Sequence, residues 1–490
     1  MRQAERLFQI IGLVDEALVE EALAPQKARR KFFWPSLASA ACLALCMAGW
    51  LVSGGLSAGS AAPASPAGGE SSSESFLSYA GPVLPLTVLA DTELTATRHL
   101  SFDFQAGGSA LVHDSYVLHN PTDRDVTLTP FYPVTGRLWD LEQIQPQTDL
   151  REPLIPFTGN YAVGFQSAYG AEKEGSHNLD SPHSWEDYAE EIENGGLDWA
   201  LSSAPELSQR VTVYEFSSFT APYDAYKAAT QAIEFTIDPE RTQILTYGIN
   251  GASWDEESGW RRYDFFVPEG RNTGPKLLAV MGDDLGSYNL QGYADGSCET
   301  AIDGVSCTVT RREMTIDDLL EKLCRAYLEE TEDSGMKNAL PLTLFRRCTA
   351  ELLTEYGPLS ETPVDRYQWG RLDDIIAEAL ILDRIFYFRL PQITIPAGGD
   401  FEINVESQKA ASFDFAGSGS DKIGVEGYDF LTALGSSLEF TSQRLSLSDQ
   451  GEPFDECLLW SHNLESYFES GGEGTLDLHE AHYYISIQRS

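Results

Sequence analysis

The sequence predicts an α+β protein: a β-rich, sandwich-like extracytoplasmic region with a small helical layer, preceded by one transmembrane helix. Three observations lead to this prediction. A long uncharged stretch lies near the start, apolar and polar residues alternate with a period of two over much of the chain, and three helical patterns follow one another between two β-rich parts. A chain of 490 residues has room for about two to four domains.

The composition is strongly acidic. The chain has 33 Lys and Arg residues against 75 Asp and Glu, which gives a net charge of −42 at pH 7. Such a charge repels the phosphate backbone of a nucleic acid at every approach. The seven Cys residues are too few for a disulfide-dense scaffold. The composition therefore predicts an acidic globular protein with no nucleic-acid partner.

The longest apolar stretch, residues 32–53, reads FFWPSLASAACLALCMAGWLVS and contains no charge. A helix over these 22 residues would be about 33 Å long, which matches the hydrocarbon core of a bilayer. Basic residues cluster at positions 27–31, whereas the first charge after the stretch is Glu70. Because basic residues stay on the cytoplasmic side, the pattern predicts a single-pass protein of the cell membrane, with its N-terminus in the cytoplasm and its bulk outside.

A cleaved signal peptide is the alternative for this stretch, because small residues that suit cleavage follow Gly54. Residues 1–31 argue against cleavage, since they include five acidic residues and a secretory leader begins with a short basic segment. Residues 54–75 consist almost entirely of Gly, Ser, Ala and Pro, a composition typical of a flexible linker. We therefore expect a tether between the membrane and the folded region.

Residues 1–31 are predicted to form one cytoplasmic amphipathic helix, because apolar residues recur at helical spacing and acidic residues lie mostly off that stripe. A segment this short cannot bury an apolar face by itself. The face therefore needs a partner protein, a second copy or the inner leaflet, unless the helix only flanks the anchor. The residues expected to make the contact are Leu7, Ile11, Val14 and Leu18.

The strings LFQIIGLVDEALVEEAL and KARRKFFWPSLASAACLALCMAGW carry a resemblance. They resemble the start of single-pass membrane proteins of Clostridia-type Gram-positive bacteria, some of which are encoded beside extracytoplasmic-function sigma factors and are regarded as anti-sigma-like. The resemblance covers residues 7–50 and departs from the classical anti-sigma domain, because it has no zinc-binding His/Cys motif. It implies a regulatory role for the cytoplasmic helix, with a sigma factor as its partner.

Residues 81–312 are predicted to form a β-rich region. Alternation over 112–118 is followed by the turn residues 120–123 and by further apolar residues at 126–131, a pattern that favours a β-hairpin. A similar pattern at 393–405 predicts that residues 385–490 form a C-terminal region that resembles a β-sandwich. The pattern leaves open whether the two β-rich stretches form one sandwich, split by an insertion, or two.

Residues 313–384 are predicted to form a helical segment. Thr315 and Asp318 have capping-box spacing, a second helical pattern runs over 343–356, and a third covers 372–380. The apolar stripes fit packing on a sheet or on one another. Two cysteines lie on adjacent stripes and form a candidate disulfide, although buried thiols explain them as well. These residues are Cys324 and Cys348.

The Gly- and Asp-rich stretch over 247–310 suggests two kinds of binding site. Oxygen side chains could gather around a calcium ion, although turns capped by Asp explain the same pattern. The candidate ligands are Asp283, Asp284, Asn289 and Asp295. Aromatic side chains could instead stack on sugar rings, and the candidates are Trp254, Tyr288 and Tyr293.

No catalytic motif emerges from the sequence. The string Ser334-Gly335-Met336-Lys337 resembles one motif of penicillin-recognising enzymes, but the Lys-Thr-Gly element is missing. We therefore expect no enzyme and no resident cofactor. The sequence favours a membrane-anchored extracytoplasmic sensing or interaction protein. The alternative is a surface-anchored enzyme acting on cell wall or glycan, or a carbohydrate-binding or adhesion protein.

Overall fold

The computed structural model describes most of the chain after residue 77. The described ranges are 78–89, 93–150, 154–161, 205–267, 274–331, 340–361, 369–414, 423–470 and 474–489, with single positions 189, 192, 193, 197, 269, 363 and 367. The predicted cytoplasmic helix, membrane span and linker lie outside these residues. Among the described helices, none is both long and apolar enough to cross a bilayer.

The structure is β-rich with a small helical fraction, as the sequence predicts. Strands, numbered along the chain, are β1 Ser78–Tyr79, β2 Thr87–Val88, β3 Thr95–Gln105, β4 Ser109–His119, β5 Val126–Leu128, β6 Pro130–Arg137, β7 Gln147–Thr148, β8 Ile155–Tyr161, β9 Arg210–Thr220, β10 Thr230–Thr236, β11 Thr242–Tyr247, β12 Gly251–Asp255, β13 Trp260–Phe266, β14 Lys276–Gly282, β15 Tyr288–Tyr293, β16 Ser306–Thr315, β17 Asp383–Arg389, β18 Ile393–Ile395, β19 Asp400–Ala410, β20 Phe413–Asp414, β21 Val425–Leu431, β22 Glu439–Asp449, β23 Glu452–Pro453, β24 Leu459–His462 and β25 His482–Gln488. Helices are α1 Leu141–Ile144, α2 Ile316–Glu330, α3 Leu342–Glu351, α4 Leu372–Ile381 and α5 Glu465–Glu469.

The chain divides into two compact units. Within the described residues, unit 1 consists of Tyr214–Gln243 and Gly248–Arg311, and unit 2 consists of the parts before, between and after these segments. Unit 1 contains a four-stranded sheet of order β12-β13-β10-β15. The sheets of unit 2 have the orders β23-β22-β3-β4-β19-β7, β1-β20-β21-β25-β24, β2-β6-β17-β8 and β18-β5, and a further sheet has the order β11-β14-β9-β16.

The six-stranded and five-stranded sheets of unit 2 pack on each other as a sandwich. Phe102 and Phe104 of β3 share one buried cluster with Tyr428 and Phe430 of β21 and with Ile485 of β25. The rings of Phe104 and Tyr428 are 5.1 Å apart between centroids. Alternate residues of each strand point inwards, so burial of this aromatic layer is what holds the two sheets together.

Strands from both β-rich stretches build the same sandwich. Strands β3 and β4 come from the first stretch, and they pair with β22 and β19 from the second: β4 runs antiparallel to β19, whereas β3 runs parallel to β22. Most of the residues between β4 and β19 are therefore an insertion into this sandwich, although β7 returns to its six-stranded sheet by pairing with β19. This settles the alternative that the residue pattern alone left open.

The predicted hairpin between residues 112–118 and 126–131 is wrong. Strand β4 pairs with β3 and β19, while β5 pairs with β18. The turn between β4 and β5 lies instead against the turn between β18 and β19, where the Asn120 backbone N–H donates to the Gly399 carbonyl. The Asn120 side chain also donates to the carbonyls of Ile395 and Pro396. The turn residues thus hydrogen-bond to carbonyl groups of a distant segment and do not close a local hairpin.

The predicted helical layer is confirmed. Thr315 and Asp318 form the capping box of α2, and the Asp318 backbone N–H lies 3.1 Å from Thr315 Oγ1. Helix α3 continues into the wider helical turn Leu352–Tyr356, which ends at Gly357 as the pattern indicates. The apolar faces of α2, α3 and α4 are buried. Tyr327 of α2 and Phe345 of α3 are in ring contact, at 6.0 Å between centroids.

A buried polar network lies beside the core of unit 2. The Arg98 guanidinium donates from Nε and Nη2 to the two Asp114 oxygens, at 2.8 and 2.7 Å, and from Nη1 to the Leu431 carbonyl. The hydroxyls of Tyr116 and Tyr132 donate to Asp114 Oδ2. Burial alone would lower the pKa of Arg98, but the Asp114 carboxylate raises it above its ordinary value. Both charges are therefore kept and paired.

Candidate functional site

The antiparallel sheet of unit 1 has one apolar and one polar face. Successive side chains of a strand point to opposite faces, so the register of the strands defines each face. Ile233 and Phe235 of β10 and Phe265 of β13 form the apolar face and are buried. Phe265 packs against Phe216 at 5.1 Å between ring centroids. The residues that alternate with these apolar residues along β10 and β13 therefore lie on the other, outward face.

The outward face carries a row of polar residues across all four strands. Arg262 of β13 lies opposite Ser253 of β12 on one side and Glu234 of β10 on the other, and Glu234 lies opposite Asn289 of β15. Further polar and aromatic side chains flank the row on the same face. We define the polar face as Ser253, Trp260, Arg262, Asp264, Glu234, Asn289, Gln291 and Tyr293.

The two opposite charges at the centre of this row do not pair. Arg262 and Glu234 are half-buried and directly opposite in register, yet among the described residues no ion pair joins them. Arg262 Nη2 donates instead to Ser253 Oγ at 3.2 Å, and its guanidinium lies 5.9 Å from the centroid of the Trp260 ring. The Tyr293 hydroxyl donates to Glu234 Oε1 at 3.3 Å. The hydrogen bonds of each charge thus go to a neutral group.

One end of the polar face is closed by Asp264 and Cys298. Asp264 is buried, and burial raises the pKa of its carboxyl to about 6 although Arg262 nearby acts to lower it. Burial likewise raises the pKa of the Cys298 thiol to about 12, so it stays protonated and hydrogen-bonds to Asp264. Gly251 lies beside this carboxylate: a Cβ there would be 2.5 Å from both carboxylate oxygens. Only glycine therefore leaves room for Asp264.

The predicted calcium ligands do not converge. The described residues contain no group of three or more His, Cys, Asp or Glu side chains placed to hold a metal. Asp283 forms an ion pair with Arg241 at 2.6 Å, and Asp284 forms one with Arg311 at 2.7 Å. Asn289 lies on the polar face, and Asp295 caps its own turn by accepting from the Ser297 backbone N–H. Ion pairing and turn capping thus use the oxygens that the loop pattern suggested for calcium.

The predicted disulfide between Cys324 and Cys348 is not formed. Both residues are reduced thiols buried between α2 and α3, and Cys324 Sγ lies 3.6 Å from Thr349 Oγ1. Burial raises the pKa of each thiol to about 12, which makes thiolate chemistry at neutral pH unfavourable. The two side chains fill the helical layer as small apolar groups.

The remaining sequence-predicted residues fall into two groups. Leu7, Ile11, Val14 and Leu18, and the string at 334–337, lie outside the described residues. Of the three aromatic candidates, Tyr293 lies on the polar face, whereas Trp254 and Tyr288 lie on the opposite face, 44% and 42% exposed.

Sequence reasoning missed Trp260, Arg262 and Glu234. Trp260, Arg262 and Asp264 recur at every second position of β13, which was a usable signal for one strand. The pairing with Glu234 appears only once the register of β10 is known.

The chain matches no protein-family model and no curated protein. The chemistry of the polar face is therefore deduced from its own residues.

Proposed function

We propose that the chain is a single-pass, membrane-anchored extracytoplasmic sensing or interaction protein whose polar face in unit 1 binds its ligand. One observation carries this proposal: Arg262 and Glu234 lie opposite each other on a partly exposed sheet face without forming an ion pair. Oppositely charged residues at such positions usually stabilise a sheet by pairing. Here the two charges remain available to a third group.

The neighbouring hydroxyls support a binding role. The neutral hydroxyls of Ser253 and Tyr293 hydrogen-bond to Arg262 and Glu234, which fixes the two charged side chains without neutralising them. A preorganised donor and acceptor lower the entropic cost of binding a ligand. A small number of placed polar groups beside aromatic rings is typical of a ligand site.

The proposed anchor rests on residues 32–53, whose length and lack of charge suit a bilayer. The basic residues at 27–31 favour a cytoplasmic N-terminus. Only five of the 75 acidic residues precede residue 54, so the acidic excess would lie outside the cell. The helix proposed for residues 1–31 would then report binding to a cytoplasmic partner, and a sigma factor is the partner that its resemblance favours.

The location is tested with a native thiol. Among the described cysteines Cys457 is exposed, Cys307 is half-buried, and Cys298, Cys324 and Cys348 are buried. A membrane-impermeant maleimide added to intact cells that produce the full chain should label Cys457, and Cys457→Ser in a Cys307→Ser background should remove the label. Labelling that requires permeabilised cells would contradict an extracytoplasmic position.

The cytoplasmic partner is tested by purification of the full chain from detergent-solubilised membranes. We expect a sigma factor to copurify with the wild-type chain and to be lost with Val14→Asp, which places a charge on the apolar stripe. Absence of a sigma factor from the wild-type sample, or equal recovery with both chains, would contradict this part of the proposal.

A further inference from the structure

We infer that the polar face binds a neutral oligosaccharide, which lies across β13 and β10 between Arg262 and Glu234. This inference rests on the proposed function, because it names the ligand class of the same face. It follows from the chemistry of the two charged groups, from the aromatic and amide side chains beside them, and from the charge of the whole chain.

A ligand that binds both Arg262 and Glu234 needs a group that both accepts and donates hydrogen bonds. An arginine side chain only donates hydrogen bonds, and an ionised carboxylate only accepts them. A hydroxyl does both, so vicinal hydroxyls of a sugar would accept from Arg262 and donate to Glu234. A simple anion would satisfy Arg262 and be repelled by Glu234, and a simple cation would meet the reverse difficulty.

The flanking side chains suit a ring with an apolar face and a polar rim. Trp260 and Tyr293 lie on the same face as the central pair, and each presents an aromatic surface with a polar handle. Asn289 and Gln291 on β15 carry amides, which donate and accept like the hydroxyls that they would meet. Aromatic rings and amides on one sheet face therefore match both surfaces of a pyranose.

The length of the polar row and the net charge of the chain limit the class of ligand further. The row from Ser253 to Asn289 crosses four strands, so its length is about 14 Å, more than one sugar ring occupies. The net charge of −42 disfavours an acidic polysaccharide. A neutral oligosaccharide is the ligand that both properties allow.

Titration calorimetry of the full chain tests this inference. The protein is kept in a detergent without a sugar headgroup and is titrated with cellohexaose, xylohexaose, mannohexaose and chitohexaose, and separately with the zwitterion alanylalanine. We expect at least one saccharide to bind. Trp260→Ala and Glu234→Gln should each weaken that binding by about tenfold or more.

The matched control is Trp254→Ala. Trp254 lies on the neighbouring strand of the same sheet but on its opposite face, so its loss should change affinity by less than about twofold. Failure of every saccharide to bind, binding of alanylalanine alone, or equal effects of the Trp254 and Trp260 variants would overturn the inference. A failure of the proposed location is separate, because only the maleimide experiment in intact cells reports it.

Discussion

Two arginine and carboxylate clusters in this protein behave in opposite ways. In unit 2, Arg98 and Asp114 are wholly buried and form a bidentate ion pair. In unit 1, Arg262 and Glu234 lie on adjacent strands in direct register, half-buried, and remain apart. Tyrosine hydroxyls donate to the carboxylate in both clusters. Both clusters combine an arginine, a carboxylate and a tyrosine, but they differ in burial and in the register of the two charges.

The difference in burial between the two clusters indicates which one stabilises the fold. A buried charge without a partner costs several kcal/mol, about 3–5 kcal/mol when one member of a pair is removed, so pairing in the core is obligatory. A charge on a partly exposed face keeps part of its hydration, so leaving it unpaired costs less. An unpaired, preorganised charge at the surface is therefore available for a ligand.

The largest effect is expected for Arg98→Met. The substitution leaves the Asp114 carboxylate buried without its cation and should lower the free energy of unfolding of unit 2 by about 3–5 kcal/mol. Urea denaturation followed by near-ultraviolet circular dichroism measures this loss. A loss below about 1 kcal/mol would mean that the buried ion pair contributes no more to stability than an exposed ion pair does.

A smaller effect of opposite sign is expected for Asp264→Asn. Burial raises the pKa of Asp264 from its ordinary 3.8 to about 6. The stability that goes with the protonated form is complete below pH 4 and is lost as the pH rises through 6. At pH 8 the neutral amide should therefore stabilise the protein by about 3 kcal/mol.

The pH dependence provides the control for this variant. The difference in unfolding free energy between Asp264→Asn and the wild-type chain should disappear at pH 4, where Asp264 is protonated. Thermal melts at both pH values measure it. A wild-type chain that is more stable than the variant at pH 8 would show that the ionised carboxylate, like Asp114, is favourably paired.

The smallest effect on stability is expected for Arg262→Gln and Glu234→Gln. Because the two charges do not pair, each substitution should change the free energy of unfolding by less than about 0.5 kcal/mol. The same urea titration used for Arg98→Met measures both variants. A loss of about 2 kcal/mol or more in either would place this cluster with the buried network and remove the case for a binding face.

The fold could be predicted where its signals are local. The alternation of β4 and the capping box of α2 are properties of adjacent residues, and both predictions are confirmed. The hairpin after β4 was wrong because pairing is non-local: β4 takes its second partner from β19, and nothing in the turn residues encodes that choice. Loop closure over such distances is decided by packing rather than by turn chemistry.

The site was less predictable than the fold. Tyr293 could be named from its aromatic and glycine-rich surroundings, but Trp254 and Tyr288 belong to the other face of the sheet. A shift of one residue in register exchanges the two faces of a strand, so the composition of a loop cannot assign them. The calcium prediction is wrong for a similar reason. Asp283 and Asp284 pair with Arg241 and Arg311, which are distant in sequence, so the composition of the loop does not reveal these ion pairs.

The polar face is tested most directly by hydroxyl-radical footprinting of the full chain with and without the saccharide that binds in the titration. Mass spectrometry then reports the oxidation of each tryptophan. We expect saturating saccharide to protect Trp260 and to leave Trp254, on the opposite face of the same sheet, unchanged. Protection of Trp254 with Trp260 unchanged, or no change at either ring, would contradict a binding face built around Arg262 and Glu234.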